Sequence, residues 1–454
     1  MNPLKGEDRL WKRSIADIAA GCITAVIFYP EYIGLAAILA PALPGAQATA
    51  VAGMLVIGAV VMCCVMALTA RQPLLSGPRA ASFALMVGGV KLATYQVDVD
   101  ARLSAALVAM PLMLVIAAAF QLIGLKQSVQ DRVRYSHIAL RKGFMYASAV
   151  GIVVGVCAVG LEGCLRVDAK STILVFALAV GSALAWGNFC SHETRPRAKK
   201  LAPFSMLIGM GMSVAGYYLL IASAAHGGLC ATLGTSGMHI SSIGQLLASP
   251  GMFSLVWAAA PIWLWGVLVV FGVLLGVAML FENLTALKDC EDRMGLHHTN
   301  WDACIKANAA ANFLSAPLGL ASGSLAPSRS VALNEAFGRS SLAVLAHGVS
   351  LIAILLLLGE WIARLPQLSV VVALVLVAIQ MIDKELREKV WRSGYIPSAS
   401  VAEVKTTWLF LVILVGAVCV GMLTRYKELG FGLGVLVSIL GWAVLLRGIP
   451  SKRS

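Results

Sequence analysis

Apolar stretches of eighteen or more residues recur from one end of this chain to the other. Each is long enough to cross a hydrocarbon core of roughly 30 Å, which takes about 20 apolar residues in a helix. In that medium every backbone polar group needs a partner within the protein, so the sequence is predicted to be an all-α polytopic membrane protein. Composition agrees. Hydrophobic residues make up 59% of the 454 positions and charged residues only 13%, about half the usual share of roughly 25% in globular domains. No soluble fold could bury so much apolar surface. Residues 1–13 are basic and lead into an apolar run from residue 14 to about residue 40. That run is too long for a signal-peptide core and shows no clear cleavage site, so it is read as a retained first span.

The net charge of +13 suggests nucleic acid until its distribution is considered. Lys and Arg gather in alternate loops, including 126–142, 195–200, 288–306, 384–405 and 447–453, while the 225–255 stretch carries no charged residue at all. By the positive-inside rule the basic loops are cytoplasmic, so both termini face inward and the partner is membrane lipid, not nucleic acid. A cell inner (plasma) membrane location is expected. Cysteines show no CxxC pair or metal-ligand spacing, and Cys63, Cys64, Cys157 and Cys419 sit within spans as small packing residues. His297 and His298 share a loop with several carboxylates, but their spacing matches no zinc pattern, so no metal is expected. A P-loop, a dinucleotide-binding GxGxxG unit and an HExxH motif are all missing; neither an enzyme nor a cofactor is expected.

Hydropathy predicts fourteen transmembrane segments, with residues 1–13 as a cytoplasmic lead, 14–446 as the membrane domain and 447–454 as a short tail. Segments 76–95 and 327–337 depart from ordinary spans. The first opens with Leu74-Leu75-Ser76-Gly77-Pro78-Arg79, the second with Ser324-Leu325-Ala326-Pro327-Ser328-Arg329-Ser330. In each, proline is expected at the helix start, where its missing N–H is not needed. Short Gly/Pro-interrupted segments at matching places in two halves point to a transporter's binding site. The halves match in another respect. Intramembrane Glu31 and Glu282 each lie late in an apolar helix, and Glu31 precedes Pro78 by nearly the same length of chain as Glu282 precedes Pro327. With seven spans per half, the odd count inverts the second repeat, giving a 7+7 inverted repeat with the third and tenth segments as half-helices.

Glu31, Arg79, Glu282 and Arg329 are the ionisable groups that matter. Each would cost roughly 2.5–3.5 kcal/mol unpaired at mid-bilayer, so they must face one another or a wet cavity. The competing reading is two structural salt bridges. Two half-helix N-termini aimed at one spot offer unpaired N–H groups and positive dipole ends, suited to an anion. Arg79 and Arg329 add full charge there, and Ser76, Ser82, Ser328 and Ser330 supply hydroxyl donors; guanidinium forks suit oxyanions. Glu282 is assigned the coupling role, exchanging a proton or, with Thr285 and Asn283, holding Na⁺ through oxygen ligands. Whether Glu31 faces Arg79 or the substrate stays open.

Asp17-Ile18-Ala19-Ala20-Gly21 with Phe28-Tyr29-Pro30-Glu31 resembles the opening of the SulP family, the sulfate permeases related to solute carrier family 26. Leu75-Ser76-Gly77-Pro78 resembles its third span and Phe281-Glu282-Asn283-Leu284-Thr285-Ala286 its eighth. Ser328-Arg329-Ser330, Asn334, Gly338-Arg339-Ser340-Ser341 and His347-Gly348-Val349 resemble its tenth and eleventh segments most specifically. The resemblance implies a mobile core of spans 1–4 and 8–11 and a gate of spans 5–7 and 12–14, with elevator-type alternating access in a homodimer. It places the anion site on Glu31, Pro78, Arg79, Ala80, Ser328 and Arg329, and cation coupling at Glu282. Two departures stand out. Family members usually carry a STAS domain after the last span, which is not expected here, and the residue after the third-span proline is usually uncharged where this chain has Arg79. The expected function is secondary active transport of an inorganic oxyanion, sulfate first, with bicarbonate or a dicarboxylate as variants. The alternatives are a nucleobase-type permease, a passive anion channel or a non-transporting scaffold.

Overall fold

A helix of 36 residues opens the chain and stays helical through Pro30. The computed structural model describes residues 4–39, 48–95, 97, 102–134, 165, 168–192, 204–221, 262–296, 299–316 and 323–381. Helices α1 (Leu4–Leu39) and α2 (Ala48–Val65), the latter ending in a π turn, precede a strand of two residues, β1 (Ser76–Gly77). Then follow α3 (Ala80–Thr94), α4 (Arg102–Gln121), α5 (Gln127–Arg134), α6 (Ala169–His192) and α7 (Ser205–Gly216). The second series runs α8 (Ile262–Met294), α9 (Trp301–Ser315), β2 (Ser324–Leu325), α10 (Pro327–Glu335), α11 (Ser341–Ala363) and α12 (Gln367–Met381). Six of these helices carry an apolar stretch long enough to cross a membrane, namely Trp11–Ala36, Ala50–Ala70, Ala105–Leu125, Ala169–Cys190, Trp265–Met294 and Ser341–Gly359. The protein is a multi-pass membrane protein.

The two series exchange partners. α1 lies along α11 and α2, while α8 lies along α4 and α3, so each glutamate-bearing helix packs on a long helix of the other series. Glycine permits both close approaches. A Cβ on Gly21 would sit 2.5 Å from the Ala343 carbonyl oxygen, and one on Gly276 would sit 2.4 Å from the Phe120 Cβ. The strands lie between these pairs, with β2 against α8 and β1 against α2. α6, α7 and α12 pack on one another, and α12 also touches α1. The outward faces of α6 and α11, with Leu174, Leu178, Leu357 and Trp361 exposed, are apolar as a lipid-facing surface requires.

Several boundaries differ from the sequence reading. α1 begins at Leu4, ahead of residue 14. α8 runs past residue 287 to Met294 because its last turns leave the apolar stretch and carry Lys288–Asp292 and Arg293–Asp289 pairs at i,i+4 spacing. α6 starts early because Asp168 accepts the Ser171 N–H at 3.1 Å, and hydrogen bonds from the Ser171 side chain and backbone hold its carboxyl below the usual range. α11 is started from a distance. Asp17 on α1 accepts the Arg339 N–H at 2.6 Å and the Ser340 hydroxyl at 2.5 Å. Expected spans 143–161, 406–424 and 429–446 lie outside the described residues, as do His297 and His298.

Candidate functional site

β1 and β2 pair antiparallel, Ser76 opposite Leu325 and Gly77 opposite Ser324. Ala326 N–H extends the pairing to the Leu75 carbonyl at 2.9 Å. Irregular backbone survives at membrane depth only when its polar groups are satisfied inside the protein, and this crossing meets that demand. Because the strands are antiparallel, α3 and α10 leave the crossing in opposite directions with both N-termini facing it. Pro327 occupies the first helical position, as expected. Pro78 does not. It stands two residues before α3, and Arg79 is the extended N-cap, with φ −129° and ψ 150°. The reason is in its contacts: the Pro78 carbonyl accepts a bond from Arg329, and the Arg79 carbonyl accepts the first helical bond from Phe83 N–H at 2.8 Å. The backbone N–H groups of Ala80, Ala81 and Ser82 on α3, and of Ser328 and Arg329 on α10, have no intrahelical acceptor.

Arg329 is fully buried. Its Nε donates to Glu31 Oε2 at 2.9 Å, Nη1 to the Tyr32 hydroxyl at 2.8 Å and Nη2 to the Pro78 carbonyl at 2.9 Å. The guanidinium carbon also stands 4.6 Å from the centre of the Tyr32 ring. Glu31 therefore pairs with Arg329, not with Arg79. Arg79 is 9% exposed and donates Nη1 to the Leu325 carbonyl at 2.9 Å. Among the described residues no carboxylate lies within ion-pair distance of it, and its other donors are uncommitted.

Glu282 is 1% exposed. Its Oε2 accepts the Ser324 hydroxyl at 2.5 Å, while Oε1 is buried and meets no hydrogen-bond partner among the described residues. The Thr285 hydroxyl donates to the Phe281 carbonyl at 2.8 Å, within its own helix. Asn283 Oδ1 accepts the Leu325 N–H at 2.8 Å. Of the expected hydroxyl donors, Ser330 bridges Leu75 N–H and the Ala326 carbonyl, Ser82 turns back to the Arg79 carbonyl, and Ser76 accepts from Asn308. Ser328 is half-buried at the second position of α10, with no hydrogen bond among the described residues.

Sequence reading missed Tyr32, Asn308 and Asn312. Both asparagines are fully buried on α9. Asn308 Nδ2 donates to Ser76 Oγ at 2.5 Å, and its Oδ1 accepts from Asn283 and Asn312, each at 3.1 Å. Asn312 also donates to the Gly323 carbonyl at 2.8 Å and accepts the Gly323 N–H at 2.9 Å. Their i,i+4 spacing in an apolar segment was the signal, since intramembrane amides are placed where they find partners. His347 on α11 meets Thr24 on α1 at 3.0 Å, a contact between the two helices. No group of three or more His, Cys, Asp or Glu side chains that could hold a metal occurs among the described residues.

No family model matches the chain, and no curated protein matches it in sequence. Solved structures do match in fold. The transmembrane domain of a cyanobacterial bicarbonate transporter, BicA, superposes with a TM-score of 0.63 at 18% identity, covering 94% of this chain and 97% of that one. The structure of SLC26A9 gives 0.61 at 15% identity, covering 95% of this chain and 65% of that one. Murine Slc26a9, an anion transporter of the solute carrier 26 family in the inward-facing state, gives 0.56 at 15% identity, covering 95% and 68%. The chain shares with these structures the helical membrane fold that the sequence resemblance implied.

Proposed function

We propose that this protein is a secondary active transporter of a small inorganic oxyanion. The observation that carries the proposal is the crossing itself: two half-helix N-termini face it, with Arg79 donors and the Ser328 hydroxyl that meet no acceptor among the described residues beside it. Free N–H groups, dipole ends and a guanidinium together suit an oxyanion, and a nucleobase would leave Arg79 without a role. Ala80 and Ser328 N–H groups and Arg79 contact the anion in this reading. Arg329 and Ser330 hold the crossing in shape, Arg329 also lending its buried field, while Glu31 balances it and Pro78 receives it.

Glu282 is the coupling group. Glu282 Oε1, buried and with no hydrogen-bond partner among the described residues, is the atom this reading gives to the coupled proton. Charge count then narrows the anion. Among the described residues of the crossing, Glu31 and Arg329 neutralise one another and the coupled proton offsets Glu282, leaving the charge of Arg79. That balance favours a monovalent oxyanion such as bicarbonate, the substrate named for one structural neighbour, over the sulfate that sequence placed first. The helices around the crossing act as the moving core and α6, α7 and α12 belong to the gate, in a plasma membrane with both termini cytoplasmic.

The test is uptake into proteoliposomes of radiolabelled bicarbonate, sulfate, a dicarboxylate and uracil, with and without an inward pH or Na⁺ gradient. Oxyanion uptake accelerated by the pH gradient is expected. Entry of uracil alone, or anion currents with no coupled proton movement, would overturn the reading.

A further inference from the structure

The two functional groups of the proposed site grip adjacent residues of one strand. Glu282 takes the Ser324 hydroxyl at 2.5 Å, and Arg79 donates to the Leu325 carbonyl at 2.9 Å. Besides its pairing with β1, the other side-chain attachments of this segment among the described residues run to asparagines. Asn283 holds the Leu325 N–H, and Asn312 holds both the N–H and the carbonyl of Gly323. Asn308 joins these two to each other and to Ser76 on the opposing strand. All three asparagines, with Ser76 and Ser324, are at most 1% exposed. In a dry interior such bonds are strong and their loss is not replaced by water.

We infer that Asn283, Asn308 and Asn312 are positioning residues that enforce coupling: they fix the crossing from two helices, α8 and α9, so that a change at Glu282 reaches the anion site only through Ser324, Leu325 and Arg79. The inference rests on the transport reading above and deepens it. Had the network only a packing role, apolar residues at 308 and 312 would fill the same space. The amides instead leave one adjustable bond on the strand, that of Glu282 to Ser324, because a carboxylate changes its hydrogen bonding with protonation and an amide does not. A loosened frame lets the strand respond without the cation. The anion still binds and exchanges, but its movement slips against the gradient.

The experiment uses the whole protein in proteoliposomes, with radiolabelled bicarbonate and radiolabelled sulfate in parallel. Two quantities are read for each: counterflow exchange without a gradient, and accumulation driven by an inward pH gradient. A gradient of about one unit supports about tenfold accumulation at one-to-one coupling. Asn308→Ala is expected to keep exchange within about threefold of the parent while losing most of that accumulation. Ser76→Ala, which removes only the hydroxyl at the far end of the Asn308 bond, is expected to do the same more mildly, and it decides the matter if Asn308→Ala does not fold. Unchanged accumulation in the variants, or exchange and accumulation falling in parallel, would overturn the inference. A parent protein that moves neither anion overturns the transport reading instead, so the two failures are distinguishable.

Discussion

Two arginines flank the same strand crossing and live opposite lives. Arg329, inside the first turn of α10, spends its donors on Glu31, Tyr32 and the Pro78 carbonyl, and is sealed from solvent. Arg79, at the N-cap of α3, spends one donor on the Leu325 carbonyl and reaches a little solvent. The difference follows from where each sits relative to its proline. One residue's offset puts Arg329 within the helix, where its side chain sweeps back across the crossing to α1. Arg79 stays in extended backbone at the rim. Near-identical sequence signals thus yield a structural strut at one end and an available cation at the other.

That contrast can be broken most forcefully at Arg329. Arg329→Ala leaves Glu31 buried without its partner, which costs about 3–5 kcal/mol. A large drop in detergent melting temperature with loss of all transport is expected. Arg329→Lys should not restore either, because a point charge cannot serve three acceptors spread around a planar fork. A melting temperature near the parent's would mean that the buried pair is dispensable.

Glu282→Gln should affect the other half of the device. The amide still meets Ser324 but cannot exchange a proton, so counterflow persists while gradient-driven accumulation is lost; retained pH coupling would remove Glu282 from its role. A smaller effect than that of Arg329→Ala is expected at Tyr32→Phe. The ring keeps its place beside Arg329 and only the hydroxyl bond goes, lowering stability by about 1.5 kcal/mol with anion affinity unchanged. Chemical denaturation and binding titration on the same preparation separate the two.

Much of this was legible in the chain. Span length marked the membrane class, and Pro78 and Pro327 with their flanking glycines and serines marked the half-helices, because backbone geometry is written locally. Partner choice was not legible. Glu31 and Arg329 lie nearly three hundred positions apart, at 298 residues, and nothing local distinguishes that pair from Glu31 with Arg79. The same limit hid Asn308 and Asn312, whose roles depend on which strand passes their helix. Pro78 was misplaced by two residues because the bond its carbonyl accepts from Arg329 is also long-range.

The central claim is that Arg79, and not Arg329, meets the anion directly. Its most direct test is the thermal stability of purified Arg79→Ala, with and without bicarbonate, sulfate or nitrate. The account predicts a variant melting within about 1 kcal/mol of the parent in the absence of anion, since it loses one rim contact. It also predicts that the parent's anion-induced stabilisation disappears. An Arg79→Ala protein still stabilised by the same anion to the same degree would contradict it.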